Sequence, residues 1–186
     1  MKDILVIREL AAEYAQAAYS DKNKEKIRLH KAVNDLHMIR PIVLIDEIPW
    51  GEMETGDELT LRCADEDLRK LERRLRRILF QWRHMPADMV LPDYIGVEKV
   101  IHSTGIGVEV EEELIEGEQI SSHKYHNVFR EKGPDMLHDP VITYDRQETG
   151  RQWEKVGEAV GDILPVKLVG EATGYGLGCK TWDTIA

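Results

Sequence analysis

The sequence predicts an α/β domain, on three observations. The first 84 residues are dominated by apolar positions at helical spacing. Strand-like runs with turn signals follow them, and the last such run, ILPVKLVG, comes after a further helix. With 186 residues, 42% hydrophobic and 32% charged, the chain has the composition of one globular domain. A complete (β/α)8 barrel takes about 250 residues and rarely fewer than about 200, so this chain is too short for one.

From Asp3 to Tyr19 the residues Ile4, Ile7, Leu10, Tyr14 and Ala17 recur at helical spacing, and Ser20-Asp21 breaks the run. A second helix is expected over Lys24 to Leu36, burying Ile27, Val33 and Leu36 and ended by Arg40-Pro41. PIVLID, Pro41 to Asp46, reads as a β-branched strand, and Ile48-Pro49-Trp50-Gly51 as a turn. Leu59, Leu61 and Cys63 alternate with polar residues, which fits a short extended piece or the start of a helix.

The clearest helix follows. Asp65 can cap it, and Leu68, Leu71, Leu75, Ile78, Leu79 and Trp82 form one apolar stripe. Its other face carries Arg69, Lys70, Arg73, Arg74, Arg76 and Arg77. Asp65, Glu66 and Glu72 lie four residues before Arg69, Lys70 and Arg76, so a solvated, ion-paired face is favoured over an anion or partner site.

Met89 to Leu91 is a short apolar run that stops at Pro92-Asp93-Tyr94, as a buried strand does on reaching the mouth of a barrel or sheet. Asp93 would then lie at the strand's carboxyl end, where α/β folds place their chemistry; the alternative is that it only caps the turn. Val97 to Ile101 reads as short helix or irregular chain. Val108 to Leu114 alternates, with Glu109, Glu111 and Glu113 on its solvated side, and a hairpin is expected to return through Gln119 to Tyr125 around Glu116-Gly117-Glu118. A helix from about Glu148 to Val160 carries Trp153, Val156 and Val160, and Ile163 to Val169 reads as a strand buried on both faces. Thr181 resembles the cap of a helix just begun, so the sequence reads as a truncated domain.

Charge and cysteines exclude some roles. The net charge is −10, residues 1–84 are balanced, and the whole acidic excess follows His84, which disfavours nucleic-acid binding. Cys63 and Cys179 form no CxxC pair and are expected as free thiols in a reducing, cytoplasmic setting. No apolar run approaches a membrane span. The glycines at 174, 176 and 178 lack the third glycine of GxGxxG and the Lys-Ser/Thr of a P-loop, so flexibility explains them better than phosphate binding. His123 and His126 would need two more ligands, and no metal site is expected there. The loop from Asp46 to Trp50 offers two carboxylates and an indole, either as a pocket lining or as a structural turn with Trp50 in the core.

Several segments together resemble a known family. Arg40-Pro41, IDEIPWGEM (Ile45 to Met53), DELTLRC (Asp57 to Cys63), Leu79-Phe80-Gln81-Trp82, the stretch from Ala87 to Glu113 and ILPVKLVG are similar to the amino-terminal part of the uroporphyrinogen decarboxylase (URO-D) superfamily. The similarity runs nearly end to end and is closest to a poorly characterised bacterial branch. That superfamily places the heme-pathway decarboxylase and cobamide-dependent methyltransferases on one TIM (β/α)8 barrel. The resemblance implies an incomplete barrel: residues 1–84 a helical leader with one strand, residues 85–186 the first βα units with a hairpin insertion.

It also implies a catalytic role for Asp93, which matches the aspartate that faces the pyrrole nitrogens in the decarboxylases and stabilises a protonated intermediate. Glu47, Trp50, Tyr94 and Glu171 are the candidate substrate-binding residues. The decarboxylases carry carboxylate-binding arginines after the Arg-Pro strand, and none occurs here between Pro41 and Leu61. The zinc-binding His and Cys of the methyltransferases belong to a second half of the barrel that this sequence does not contain. The expected parent is therefore an enzyme acting on a tetrapyrrole or on the methyl group of a corrinoid protein, this chain alone being inactive and without cofactor. A non-catalytic assembly module is the alternative, with an isologous homodimer through the Ile163 to Val169 edge as its expected state.

Overall fold

The computed structural model describes residues 2–45, 47–53, 56–105, 107, 111–115, 122–126, 133, 135 and 137–170, with the backbone alone at 111–115 and 122–126. The element order is α1 (Lys2–Ala18), α2 (Asp21–Asn34), α3 (Glu66–His84), β1 (Ile95–Glu98), β2 (Val100–Ser103), β3 (Glu111–Ile115), β4 (Ser122–His126), β5 (Ile142–Asp145), α4 (Arg146–Val160) and β6 (Val166–Val169). Helices and strands are mixed, as an α/β composition requires. The strands form three two-stranded sheets, β1 with β6, β2 with β5 and β3 with β4, and no closed barrel among the described residues. Two compact units divide the chain, one of residues 1–97 and 149–169 and one that includes 98–148.

The first unit is built on α3. Asp65 caps it, accepting the Leu68 N–H at 3.1 Å, and Leu68, Leu71, Leu75, Leu79 and Trp82 are all buried along one stripe. Against them pack Ile7, Leu10, Ala11 and Tyr14 of α1, Ala159 and Val160 of α4, Ile95 of β1, and Leu91 and Leu164 from the connecting chain. Polar ties fix the helices in place. Asp3 accepts the N–H groups of Ala64 and Asp65, both at 2.8 Å, which joins the starts of α1 and α3. Arg8 makes a two-pronged ion pair with Asp162 and also donates to the Ala159 carbonyl, which joins α1 to the end of α4. In β1, a side chain at Gly96 would meet Val169 of β6 at 3.1 Å, so glycine is what allows this approach.

Three strand expectations are corrected, and in the first two side chains take up backbone groups that a strand neighbour was expected to satisfy. Residues 41–45 belong to no strand. Asp88 accepts the Val43 N–H, and the Val43 carbonyl accepts the Asp88 N–H. Met89 to Leu91 is likewise no strand. The Asn23 amide, fully buried on α2, donates to the Leu91 carbonyl at 2.8 Å and accepts its N–H at 2.9 Å, imitating a strand partner with one side chain. Arg62 and Cys63 are held in irregular chain by Glu72. Finally, Ile163 and Leu164 return their N–H groups to Val160, so β6 starts only at Val166, and its residues are half-buried or exposed rather than covered on both faces.

Helix α2 begins at Asp21, three residues earlier than expected, with Ser20 as its cap, and stops before Leu36. It ends in a Schellman turn, with His37 N–H bonded to the Ala32 carbonyl and Leu36 N–H to that of Val33. Leu36 takes φ 59°, a conformation that favours glycine, and its side chain is exposed instead of buried.

In the second unit, β2 and β5 pair antiparallel with Val100 opposite Asp145; the stretch Val97 to Ile101, expected as short helix or irregular chain, is the end of β1 and the start of β2 on either side of Lys99. The expected hairpin is present as β3 and β4, antiparallel with Glu111 opposite His126. Its tip lies outside the described residues, as do the glycine-rich stretch after Gly170 and Thr181.

Candidate functional site

The loop before α3 reaches the helix through Trp50. The turn from Ile48 to Glu52 is closed by Trp50 N–H to the Ile48 carbonyl and Glu52 N–H to the Pro49 carbonyl. It sets the indole edge-on to Phe80, with ring centroids 6.1 Å apart, and beneath the Arg77 guanidinium at 5.2 Å. Gln81 donates to the Ile45 carbonyl and holds the preceding chain to the same helix. Trp50 is thus half-buried, packed at its edge and still facing a cleft of about 250 Å³ lined by Lys70, Arg73, Arg74, Arg77, Ile78 and Gln81.

A second cleft, of about 230 Å³, lies further along α3 and is mainly apolar, between Tyr14, Leu75, Pro92, Tyr94 and Val169. Arg74 and Ile78 line both clefts, so the two meet along α3. Arg74 is positioned by its bond to the Gly96 carbonyl at 2.7 Å, and Lys167 stands over the Tyr94 ring at 4.3 Å. Burial pushes the Tyr14 hydroxyl up to about 12, so it stays protonated at neutral pH.

Asp93 lies elsewhere. It is exposed in the bend before β1, at the entry to a strand and not at the carboxyl end of one. It lines a third cleft, of about 320 Å³, with Tyr19, Asn23, Lys24, Ile27 and Val90. Among the predicted residues, Trp50 and Tyr94 therefore come to one stretch of α3, whereas Asp93 does not share a cleft with Trp50. Glu47 is exposed on the Trp50 loop, and Glu171 lies outside the described residues.

The pairing on α3's polar face differs from simple i,i+4 pairing. Glu72 is fully buried and accepts from the N–H groups of Arg62 and Cys63 and from Arg76 Nε at 2.8 Å. Burial alone would raise its pKa; those donors outweigh it and hold the carboxyl below its ordinary value. Burial, with Glu72 beside it, pushes the Cys63 thiol up to about 12, which leaves it an unreactive neutral group. Asp65 pairs with Lys155 of α4 and not with Arg69, which instead donates to the Cys63 carbonyl.

The Pro41 to Leu61 segment holds no arginine, and those near Trp50 come from α3 instead. The signal was present as spacing, since 70, 73, 74, 77 and 81 follow a single helical stripe. What sequence could not give was the loop that closes over it. No family model matches the chain, and no curated protein or solved structure matches it either.

Proposed function

We propose that the chain is a URO-D-like protein, the amino-terminal portion of a TIM-barrel enzyme of the cytoplasm that acts on a tetrapyrrole or a corrinoid-bound methyl group. The observation that carries this reading is the groove along α3. It joins an apolar cleft at Tyr94 to a cationic one at Trp50, a lining suited to a flat, largely apolar macrocycle with carboxylates at its rim. Three segments that carry the resemblance also gather around this helix: Trp50 packs edge-on against Phe80 and beneath Arg77, Gln81 holds Ile45, and Arg76 holds Glu58. No described helix is long and apolar enough to cross a membrane.

The chain alone is expected to bind such a macrocycle without turning it over, because Asp93 does not share the Trp50 cleft. Absorbance titration with uroporphyrin and with hydroxocobalamin tests this. Saturable binding, weakened about tenfold or more in Trp50→Ala and Tyr94→Ala by loss of ring stacking, is the expected result. Absence of binding to both compounds at high micromolar concentration overturns it.

A second reading, as an assembly module, has its own support. Leu36, Met38, Ile39, Val43 and Leu44 are all more than half exposed within ten residues, a density of apolar surface suited to a protein partner.

A further inference from the structure

On the outer stripe of α3, Lys70, Arg73 and Arg77 carry more positive charge than the described residues around them neutralise. Of these three, Lys70 alone has a carboxylate partner among the described residues, Glu66 at 3.6 Å, and both side chains are largely exposed, so that pair is loose. Arg74 is engaged by the Gly96 carbonyl, and Arg77 lies over the Trp50 ring with its N–H edges still able to donate. Arg73 is exposed and has no hydrogen bond or ion pair among the described residues. The acids expected to neutralise this face are committed elsewhere, Asp65 to Lys155 and Glu72 to the buried Arg76. Among the described residues, no carboxylate lines the cleft.

We propose that this cleft binds a small planar polycarboxylate, with its carboxylates on Lys70, Arg73 and Arg77 and its flat body against Trp50. Two features select that class over a compact phosphate. The cations are strung along the helix one turn apart, about 5–6 Å between neighbouring Cβ atoms, which suits acid groups spread around a ring better than one tetrahedral ion. No helix amino terminus faces the cleft, whose lining residues come from the body of α3 and from Trp50, so the backbone donors that commonly cradle phosphate are not supplied there. Guanidinium forks fit carboxylates in two-pronged fashion, and the indole gives a flat ligand a surface to stack on. The inference goes beyond the macrocycle reading, since it needs only the cationic end of the groove.

Isothermal titration calorimetry of the whole chain with benzene-1,3,5-tricarboxylate tests it, with pyrophosphate as the competing chemistry. The expected result is saturable binding that weakens with added salt, and a loss of about tenfold in each of Arg73→Gln and Arg77→Gln, the size of one charge-assisted contact. Lys31→Gln, on the exposed surface of α2, removes the same charge elsewhere and should leave affinity unchanged. Absence of tricarboxylate binding at millimolar concentration, equal loss in Lys31→Gln, or tighter binding of pyrophosphate overturns the proposal. Arg73 is exposed and unpaired, so its variant tests binding without threatening the fold. Tricarboxylate binding together with failure of both macrocycles to bind would sustain this inference and overturn the tetrapyrrole or corrinoid reading; the opposite pattern would overturn this inference alone.

Discussion

At the scale of single residues, the side chains that organise the fold are buried polar ones. Asn23 and Glu72 are each fully buried, and each replaces a secondary-structure neighbour for a piece of irregular chain. Sequence alone showed the Glu72 and Arg76 spacing and read it as a solvated pair. Its burial depends on the Glu58 to Cys63 segment folding across α3, a long-range event that local spacing does not encode. Glu72→Gln should therefore be costly. The amide would turn a donor toward backbone donors and leave Arg76, itself nearly buried, without its counter-charge, at a cost of about 3 kcal/mol. Urea unfolding checks this: the midpoint should fall with little change in slope, and an unchanged midpoint would show that the pair contributes nothing.

At the scale of elements, helices were legible, as was the hairpin of β3 and β4, and the other extended segments were not. Helices α1, α3 and α4 fall within two or three residues of their expected bounds, because a helix satisfies its own backbone and its pattern is local. PIVLID and Met89 to Leu91 have strand composition, but composition cannot tell a strand neighbour from Asp88 or Asn23. The contact of α3 with α4 also carries a pH dependence. Asp67 accepts from Arg151 and Lys155, and these two partners lower its pKa from 3.8 to about 2. A carboxyl depressed in the folded state stabilises above its unfolded pKa, and that stabilisation is lost as pH falls through the folded value. Lys155→Met should thus cost about 1 kcal/mol at pH 7, allowing for solvent screening, and the difference from wild type should shrink between about pH 4 and about pH 2. Denaturant midpoints across that range measure it, and a difference independent of pH would assign the effect of Lys155 to packing instead.

At the scale of the whole molecule, the exposed apolar surface bears on how the protein exists in solution. The sequence placed the expected edge at Ile163 to Val169, but β6 is paired with β1, and Leu168 is its one large apolar side chain that is markedly exposed. The larger uncovered surface is instead Leu36 to Leu44, where Leu36 is 90% exposed and Met38, Ile39 and Val43 are each 57% exposed. Leu36 was expected as the buried end of a helix and Pro41 to Asp46 as a strand; the segment is held by Arg40 and Asp88, whose two-pronged ion pair at 2.6 Å fixes the backbone and leaves the apolar side chains outward. Apolar side chains kept outward by a rigid polar anchor lose little conformational freedom on being covered, which favours association. We therefore expect self-association through this segment, with an isologous pairing the simplest closed arrangement. Sedimentation velocity should show a dimer growing in over the micromolar range, shifted to at least tenfold higher concentration in a Val43→Lys, Leu44→Lys variant whose Arg40 and Asp88 anchor is intact. A single monomeric species for the wild type at high micromolar concentration, or an unchanged dimer in the variant, would remove this segment as the interface.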